Sequence, residues 1–299
     1  MKQVKLAIIG TITRDTITFP DRKSIRSFGG ILYNILPMAL LAPTSLVISP
    51  VCNLGSDIYE KVIFYLKHFK NIELSGISRV KKKNNHVHLF YNRKWDKREI
   101  LKYSVPEIEF QQVESHLNSD CILINFISGF DIGLESLKKI RQESKARIFI
   151  DLHSLILGIR KNGERFFKVP VLWEKYLKNA DIAQMNFKEM QIISKRKMNS
   201  KRELNNFAEE ILELGPEILI VTCGSEGALI YYREKRKIVC YQTSSLKFKD
   251  RIDPTGCGDV FSAGFLLAYL ETHNVKLSSE FANFLAGMKS RFSGIESFL

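Results

Sequence analysis

Apolar residues lie along the chain in short continuous runs, and the segments between the runs repeat apolar residues at helical spacing. The continuous runs predict strands at residues 4–10, 45–51, 120–127, 146–151 and 217–223. The periodic segments predict helices at residues 34–42, 57–69, 132–144, 171–179 and 201–214. Strands that are apolar throughout are typical of a parallel sheet with helices on both faces. The pattern therefore predicts an α/β fold with a mostly parallel sheet.

Two segments do not follow this succession of buried strands and helices. Residues 10–28 and 85–105 alternate polar with apolar or β-branched residues, as in HVHLFY at 86–91, and the second segment carries many charges. Such alternation predicts strands with one solvated face, and we expect the two segments to form a small antiparallel sheet beside the main one. No internal repeat or linker divides the chain, so the sequence predicts one domain over residues 1–299.

Composition narrows the choice of partners and compartment. The net charge is +13, but the basic residues are scattered and form no stripe with interleaved aromatics, so no nucleic-acid partner is predicted. Prolines interrupt the most apolar stretch, residues 35–52, and no membrane span is predicted. The five cysteines are widely spaced and form no metal-binding pattern. Together these features predict a cytoplasmic protein with reduced thiols.

The segment DPTGCGDVFSAGF, at residues 253–265, carries the clearest chemistry. A glycine-rich turn at Gly256–Gly258 leads into an apolar helix, which directs backbone N–H groups and the positive end of the helix dipole outward. Such a site suits a phosphoryl group that gains negative charge during transfer. Asp259 follows the turn at once and can accept the proton of an attacking hydroxyl. The chain has no Gly-Lys dipeptide and no G-x-G-x-x-G motif, which argues against a Walker A loop and a dinucleotide fingerprint.

This segment resembles the C-terminal signature of the ribokinase-like (PfkB) family of carbohydrate kinases. Four further motifs resemble those of the family and occur in the family's order. They are Asp15 (sugar-binding aspartate), Gly29-Gly30 with Asn34 (Gly-Gly-x-x-x-Asn), Asn186 with Glu189 (Asn-x-x-Glu), and Thr222 with Gly224 and Gly227 (Thr-x-Gly-x-x-Gly). A weaker match places Asn283 at a nucleotide-side Ala-Asn pair. The resemblance covers essentially the whole chain.

The resemblance implies a three-layer α/β/α core with a small β lid, whose segments would be approximately residues 10–28 and 85–105. It also implies transfer of phosphate from ATP to a hydroxyl of a sugar or sugar-like molecule, with Mg²⁺ and, in some members, a monovalent cation near Asp253. Pairing of two copies through the lid is common in the family, so a homodimer is an open expectation. The resemblance implies that Asp259 is the general base and that the amides of Gly256, Cys257 and Gly258 form the anion hole. The residues implied to bind the acceptor are Asp15, Gly29, Gly30 and Asn34. Those implied to bind the nucleotide are Asn186, Thr222, Gly224, Gly227 and Asn283, and Glu189 would contact Mg²⁺ through water.

Departures from the family pattern leave the acceptor open. Ile31, Leu32 and Tyr33 stand where smaller or polar residues are often found, which admits a nucleoside as the alternative to a sugar. A phosphosugar is a further alternative and would need basic residues over the pocket; the candidates are Arg14, Arg93, Lys94 and Lys97. His153 is interpreted as a loop residue. A catalytically silent binding protein on a kinase fold is the alternative from another functional class.

Overall fold

The computed structural model describes residues 3–43, 45–94, 96–235, 237–244 and 252–298. Residue 95, inside the predicted lid segment 85–105, lies outside these ranges. The strands are β1 (Val4–Ile9), β2 (Ile12–Thr18), β3 (Ser24–Gly30), β4 (Leu46–Gly55), β5 (Ile77–Val80), β6 (His86–Tyr91), β7 (Lys97–Lys102), β8 (Cys121–Asn125), β9 (Arg147–Asp151), β10 (Leu157–Ile159), β11 (Arg165–Phe167), β12 (Ile182–Asn186), β13 (Ile218–Thr222), β14 (Ala228–Glu234) and β15 (Lys237–Gln242). The helices are α1 (Leu32–Leu41), α2 (Tyr59–Leu66), α3 (Phe110–Val113), α4 (Leu134–Glu143), α5 (Trp173–Leu177), α6 (Phe187–Ser194), α7 (Lys201–Leu214), α8 (Cys257–Thr272) and α9 (Val275–Lys289).

The main sheet has the strand order β15-β14-β13-β12-β9-β8-β1-β4-β5. All neighbouring pairs from β13 to β5 are parallel, and only β14 and β15 join antiparallel at one edge. The predicted α/β class with a mostly parallel sheet is therefore confirmed. In such sheets ligands bind outside the carboxyl ends of the strands. No helix in the described part of the chain is both long and apolar enough to cross a membrane.

Two hydrophobic clusters cover the opposite faces of the main sheet and make the three layers. Successive residues of β1 contribute to different clusters: Leu6 and Ile8 to one, Ala7 and Ile9 to the other. The first cluster also takes residues from α1, α2, α8 and α9, and the second takes residues from α3, α4, α5, α6 and α7. Because every residue of β8 is buried, a continuous apolar run was needed there, as the sequence indicates.

The lid is a separate four-stranded sheet of order β3-β2-β6-β7, built from the two segments predicted to form it. The expectation of a wholly antiparallel sheet was wrong, because β2 and β6 pair in parallel while β3 and β7 return antiparallel at the edges. The inward side chains form a small cluster of Ile17, Val87, Leu89, Tyr91 and Leu101. Pairing of two copies through this sheet stays a prediction.

A short hairpin, β10–β11, links the edge of the lid to the core. Its turn is bonded to β7, since Leu101 N–H donates to the Gly163 carbonyl at 2.9 Å and Arg98 forms an ion pair with Glu164 at 2.8 Å. No sequence pattern predicted this hairpin. Its position places residues 165–167 between the lid and the core, beside the cavity described next.

Candidate active site

A cavity of about 800 Å³ lies between the lid and the carboxyl ends of the parallel strands. One part of its wall, which we call the lid end, comprises Thr13, Asp15, Gly30, Tyr33, Tyr91, Lys97, Glu99, His153 and Arg165. The opposite part, the sheet end, comprises Asn186, Glu189, Thr222, Gly224, Gly227 and Asn283. The Gly256–Gly258 turn and Asp259 line the same cavity, and the Asp259 carboxylate interacts electrostatically with groups of both ends. The structure thus brings most of the residues singled out from sequence into one space.

Four neighbouring strands of the main sheet each end in a polar residue. These are Asn125 in β8, Asp151 in β9, Asn186 in β12 and Thr222 in β13. Because the strands are parallel, their carboxyl ends meet at one edge of the sheet. Sequence reasoning missed Asn125 and Asp151, although the polar residue that ends the apolar runs DCILIN and ARIFID was a usable signal.

Asp259 lies in the first turn of α8 and is 4% exposed. The Asn125 side-chain amide donates to its Oδ1 at 2.8 Å. Asn34 holds the same turn from the other side, because its amide donates to the Asp259 backbone carbonyl at 2.8 Å and to Ser262 Oγ at 2.9 Å. Asn125 also donates to Asn34 Oδ1 at 3.0 Å, so the carboxylate is oriented by a buried amide pair.

The glycine turn before α8 needs glycine at one position in particular. Gly256 has a φ of +79°, a left-handed conformation, and a Cβ there would lie 2.5 Å from the Tyr33 ring. The Gln184 amide holds the turn from the sheet, donating to the Gly258 carbonyl at 2.9 Å and to Asp151 Oδ2 at 2.7 Å. Burial raises the pKa of the Asp151 carboxyl well above its ordinary range. The Cys257 N–H donates to the Pro254 carbonyl at 3.2 Å within the turn.

A buried lysine, which the sequence did not single out, lies behind the turn. Lys289 is 1% exposed, donates to the Phe292 carbonyl at 3.0 Å, and has its ammonium 5.2 Å from the centre of the Tyr33 ring. Burial lowers the pKa of Lys289, and the charges of Asp253 and Asp259 act in the opposite direction. One oxygen of the buried Asp253 carboxylate has no hydrogen-bond partner among the described residues. That oxygen fits the monovalent cation implied at this position, which stays a prediction.

At the sheet end, Asn186 and Glu189 form a capping box at the start of α6. Glu189 Oε2 accepts from the Asn186 N–H at 2.8 Å, and its Oε1 accepts from the Asn186 amide at 2.6 Å. Burial raises the pKa of Glu189 to about 8. Within the described ranges, no group of three or more His, Cys, Asp and Glu side chains is placed to hold a metal ion. One carboxylate of this kind fits a Mg²⁺ that keeps most of its ligands from phosphates and water.

The remaining sheet-end residues shape a turn over the cavity. Thr222 ends β13, and Gly224 and Gly227 follow it with φ values of +59° and +85°. Asn283, on α9, donates to the Ser244 carbonyl at 2.6 Å. Both glycines thus adopt a conformation that other residues rarely adopt, as expected for backbone that turns sharply beside a ligand.

At the lid end, Asp15 projects into the cavity from β2 and is 4% exposed. Burial raises the pKa of Asp15 to about 7, although a hydrogen bond from Thr13 partly offsets the effect. Tyr91, on β6, connects the lid to the glycine turn through a 2.9 Å hydrogen bond between its hydroxyl and Thr255 Oγ1. A hydrogen bond therefore joins the lid directly to the loop before Asp259.

Two of the predicted acceptor-binding residues do not lie on the cavity wall. Gly29 is buried behind Asp15, where a side chain would overlap the Asp15 carboxylate. Asn34 is fully buried and engages α8, as described above. The structure therefore places both residues behind the wall, where they support Asp15 and Asp259, and offers them no direct contact with the cavity.

The structure also brings four charged or titratable side chains to the lid end, of which only Lys97 was a candidate from sequence, for a phosphosugar. Lys97 and Glu99 project from β7, and their side chains form an ion pair at 3.2 Å. Arg165 projects from β11 and His153 from the turn after β9. His153 has a φ of +30°, and burial lowers its pKa. Glu99, Arg165 and His153 come from segments with no motif, so only their assembly in the fold reveals them.

Comparison with known proteins agrees with this geometry. The sequence model described as "pfkB family carbohydrate kinase" matches residues 161–295, which include the sheet-end motifs and the glycine turn. A cytidine kinase of Thermococcus kodakarensis is 22% identical over 271 residues, covering 88% of each chain. The ribokinase of Thermotoga maritima superposes with a TM-score of 0.75 at 20% identity, covering 99% of this chain and 96% of that one.

A pyrophosphate-dependent kinase in the ribokinase family superposes with a TM-score of 0.77 at 16% identity, covering 97% of this chain and 96% of that one. At such identities the superpositions establish the fold, and the family match supplies the kinase assignment. One conclusion follows from the three-layer core, the lid, the glycine turn and the family match over residues 161–295. Residues 161–295 match the PfkB family of carbohydrate kinases, and the whole chain has the ribokinase fold.

Proposed function

We propose that the protein transfers the γ-phosphoryl group of ATP to a hydroxyl of a sugar unit, either a free sugar or the sugar of a nucleoside. The observation that carries the proposal is the position of Asp259 in the first turn of α8, directly after the glycine turn, with its Oδ1 held by Asn125. A base and a set of phosphate-facing amides are thus adjacent, as in-line phosphoryl transfer requires.

In the proposed mechanism the acceptor hydroxyl lies against Asp259, which takes its proton as the new oxygen–phosphorus bond forms. The bond between that phosphorus and ADP breaks in the same transfer. The amides of Gly256 and Gly258, with the N-terminus of α8, would stabilise the charge on the transferred group, whereas the predicted Cys257 amide already donates to the Pro254 carbonyl. The Lys289 ammonium, buried behind the turn, adds positive charge on the same side.

At the sheet end, Thr222, Gly224, Gly227 and Asn283 would contact the nucleotide, with Asn186 near its phosphates. Glu189 would hold Mg²⁺ through water, and the ion would neutralise phosphate charge during transfer. At the lid end, Asp15 and Gly30 would hold acceptor hydroxyls from the cavity wall. Gly29 and Asn34 would act through Asp15 and Asp259.

A nucleoside acceptor is the second candidate, and two observations favour it. The cytidine kinase relative aligns with 88% of this chain. The cavity wall also carries Val87, Leu89, Ile127, Ile156 and Phe166, which offer a planar base apolar contacts. The Ile31 and Leu32 side chains, which first suggested a nucleoside, are buried away from the cavity, and Tyr33 alone of that stretch lines it.

The test measures ADP release from Mg·ATP with a panel of sugars, sugar phosphates, sugar acids and nucleosides as acceptors. The wild type and Asp259→Asn are compared on the same panel. We expect one acceptor class to give turnover, and Asp259→Asn to lower kcat by about 10²–10⁴-fold, the usual contribution of a general base. Glu271→Gln, at the exposed far end of α8, is the matched control and should keep full activity. Equal turnover by Asp259→Asn would refute the assignment of the base. A melting-temperature shift with ATP but no turnover with any acceptor would favour the binding-protein alternative.

A further inference from the structure

The lid end contains two buried, oppositely charged side chains that the proposed mechanism does not use. Resting on that proposed function, we propose that the acceptor is uncharged, and that Glu99 and Arg165 determine specificity by binding one hydrogen-bond donor and one acceptor group on it. Both side chains line the cavity, and both are 8% exposed.

The first line of support is the balance of charge at the lid end. Asp15, Glu99 and Asp259 all face this part of the cavity, and the positive charges there belong to Lys97 and Arg165. The Lys97 ammonium is paired with Glu99 Oε2 at 3.2 Å, so a carboxylate already offsets its charge. Arg14, another candidate for binding a phosphosugar, lines a second cavity on the opposite face of the lid and forms an ion pair with Asp57. A phosphate or carboxylate on the acceptor would therefore add negative charge where three carboxyl groups already face two basic side chains.

The second line of support is how Arg165 is held. Its Nη1 donates to the Ser128 carbonyl at 2.8 Å and its Nη2 to the Ser154 carbonyl at 3.3 Å. Its Nε is buried and has no hydrogen-bond partner among the described residues. A guanidinium binds phosphate or carboxylate tightly through two parallel N–H groups. Here each terminal nitrogen gives one N–H to a backbone carbonyl, so the guanidinium is held in one orientation and only its remaining N–H groups are left for a ligand acceptor atom.

Glu99 complements the donor groups of Arg165. Burial alone would raise the pKa of Glu99, but the charges of Lys97, Arg165 and His153 hold it below the ordinary value. An ionised carboxylate can only accept hydrogen bonds, so Glu99 selects a donor group on the ligand. An ionised carboxylate also repels a second negative charge, which agrees with an uncharged acceptor.

Strand pairing fixes the two side chains relative to each other. Glu99 lies on β7 and Arg165 on β11, and Ile100 pairs with Glu164, so that each charged residue is a chain neighbour of this bridge. The apolar side chains of Leu89, Ile156 and Phe166 line the same cavity. A polar pair among apolar walls fits an uncharged ligand with an adjacent donor and acceptor. The edge of a nucleobase and the hydroxyls of a sugar both supply this chemistry.

The experiment measures acceptor binding and turnover separately. Calorimetry on the Asp259→Asn variant would compare uncharged ligands with phosphorylated partners: ribose with ribose 5-phosphate, fructose with fructose 6-phosphate, and cytidine, uridine and adenosine with their 3′-phosphates. We expect the uncharged member of the preferred pair to bind at least about tenfold more tightly, since its partner meets uncompensated carboxylates. Preference for nucleosides would assign Glu99 and Arg165 to a base edge, and preference for sugars would assign them to hydroxyls.

Glu99→Gln then tests the pair itself in the otherwise wild-type enzyme. We expect KM for the uncharged acceptor to rise by about tenfold or more, because a hydrogen bond to a charged group is lost, while kcat changes much less. Relative affinity for the phosphorylated partner should increase. The matched control is Glu164→Gln, because Glu164 lies on the same hairpin next to Arg165 but does not line the cavity. Arg165→Lys should also raise KM, and Glu99→Gln decides the test if that variant does not fold.

The outcomes separate this inference from the proposed function. Preference for a phosphorylated or carboxylated ligand would overturn the inference even if the protein proves to be a kinase. An unchanged KM in Glu99→Gln would do the same for the specificity pair. If uncharged ligands bind as described but no turnover occurs, the inference stands and the proposed kinase activity fails.

Discussion

The two ends of the cavity are built in different ways. The sheet end uses backbone turns and a helix cap, and all its residues except Asn283 come in two contiguous motifs, 186–189 and 222–227. The lid end uses side chains from β2, β6, β7, β11 and the turn at 153–156. Of its residues, only Asp15 and Gly30 belong to motifs found in the sequence. A nucleotide does not vary in structure and can be bound by local backbone geometry, whereas an acceptor is recognised by side chains whose combination can vary.

The ends also differ in how firmly the fold supports them. The sheet end lies on strands buried in two large hydrophobic clusters, whereas the described residues of the lid form a small cluster of five buried residues with Phe19 and Ile25 packed against it. Regions with few buried apolar contacts open at lower free energy than the core. We expect substitutions at the glycine turn to change kcat, those at the sheet end to change the requirement for Mg²⁺, and those at the lid end to change mainly acceptor binding.

The largest effect is expected at the glycine turn, which both ends depend on. Gly256→Ala places a methyl group against the Tyr33 ring in a left-handed conformation, so the turn must shift. Because a displaced amide no longer faces the transferred phosphoryl group, kcat should fall by about 10²–10³-fold. Steady-state kinetics with Mg·ATP would measure the loss. Gly133→Ala, at a non-strained position with ordinary contacts, should be silent, and full activity in Gly256→Ala would contradict the role of the turn.

Asp15→Asn tests the lid end through both binding and stability. The acceptor KM should rise by about tenfold or more, because a charged hydrogen-bond acceptor is lost, while kcat changes less. Because burial raises the pKa of Asp15 to about 7, the folded state binds more protons than the unfolded state between about pH 4 and pH 7. This carboxyl therefore lowers the wild-type stability progressively as pH rises through that window.

The Asn variant lacks this titration, so its melting temperature should exceed that of the wild type above pH 7 and the two should converge near pH 4. Differential scanning calorimetry from pH 4 to pH 8 would measure the gap. Asp21→Asn, in the exposed turn of the same sheet, is the matched control for losing a carboxyl outside the cavity. A gap that widens towards low pH would contradict burial as the cause.

Asn125→Leu tests whether orientation of the base matters as much as its presence. The variant removes the amide that donates to Asp259 Oδ1, while the leucine fills a similar volume. We expect kcat to fall by about tenfold with KM for both substrates nearly unchanged, since a mispositioned base weakens only the chemical step. Asn53→Leu is the control for lost buried hydrogen bonds, because its amide donates to carbonyls far along the chain at Pro106 and Glu107 and does not touch the cavity.

How much the sequence could predict follows the same division between the two ends. Apolar runs located the main strands, and contiguous motifs located Asp259, Glu189 and Thr222, because each depends on local spacing. Glu99 and Arg165 were missed because their approach depends on the pairing of β7 with a hairpin that has no sequence signal. Asn34 was recognised by motif, but only its hydrogen bonds show that it holds α8 and does not line the cavity.

The smallest effect is expected at Glu189, and it tests whether the sheet end is built mainly from backbone. Glu189→Gln keeps a side chain that can cap the Asn186 N–H at N3 of α6, so the fold of this segment should be retained. It removes the carboxyl group that could ionise where Mg²⁺ would be held through water. Because phosphates and water supply most ligands of Mg²⁺ in such sites, the Mg²⁺ concentration for half-maximal activity should rise only about threefold to tenfold, with acceptor KM unchanged.

Titration of activity against Mg²⁺ at saturating ATP and acceptor would measure this change. Glu203→Gln is a close control, because Glu203 occupies the same N3 position of the Ser200 capping box in α7 and is exposed. It should leave the Mg²⁺ requirement unaltered. Complete loss of activity in Glu189→Gln at any Mg²⁺ concentration would mean that a side chain dominates the sheet end, and the contrast between the two ends would no longer hold.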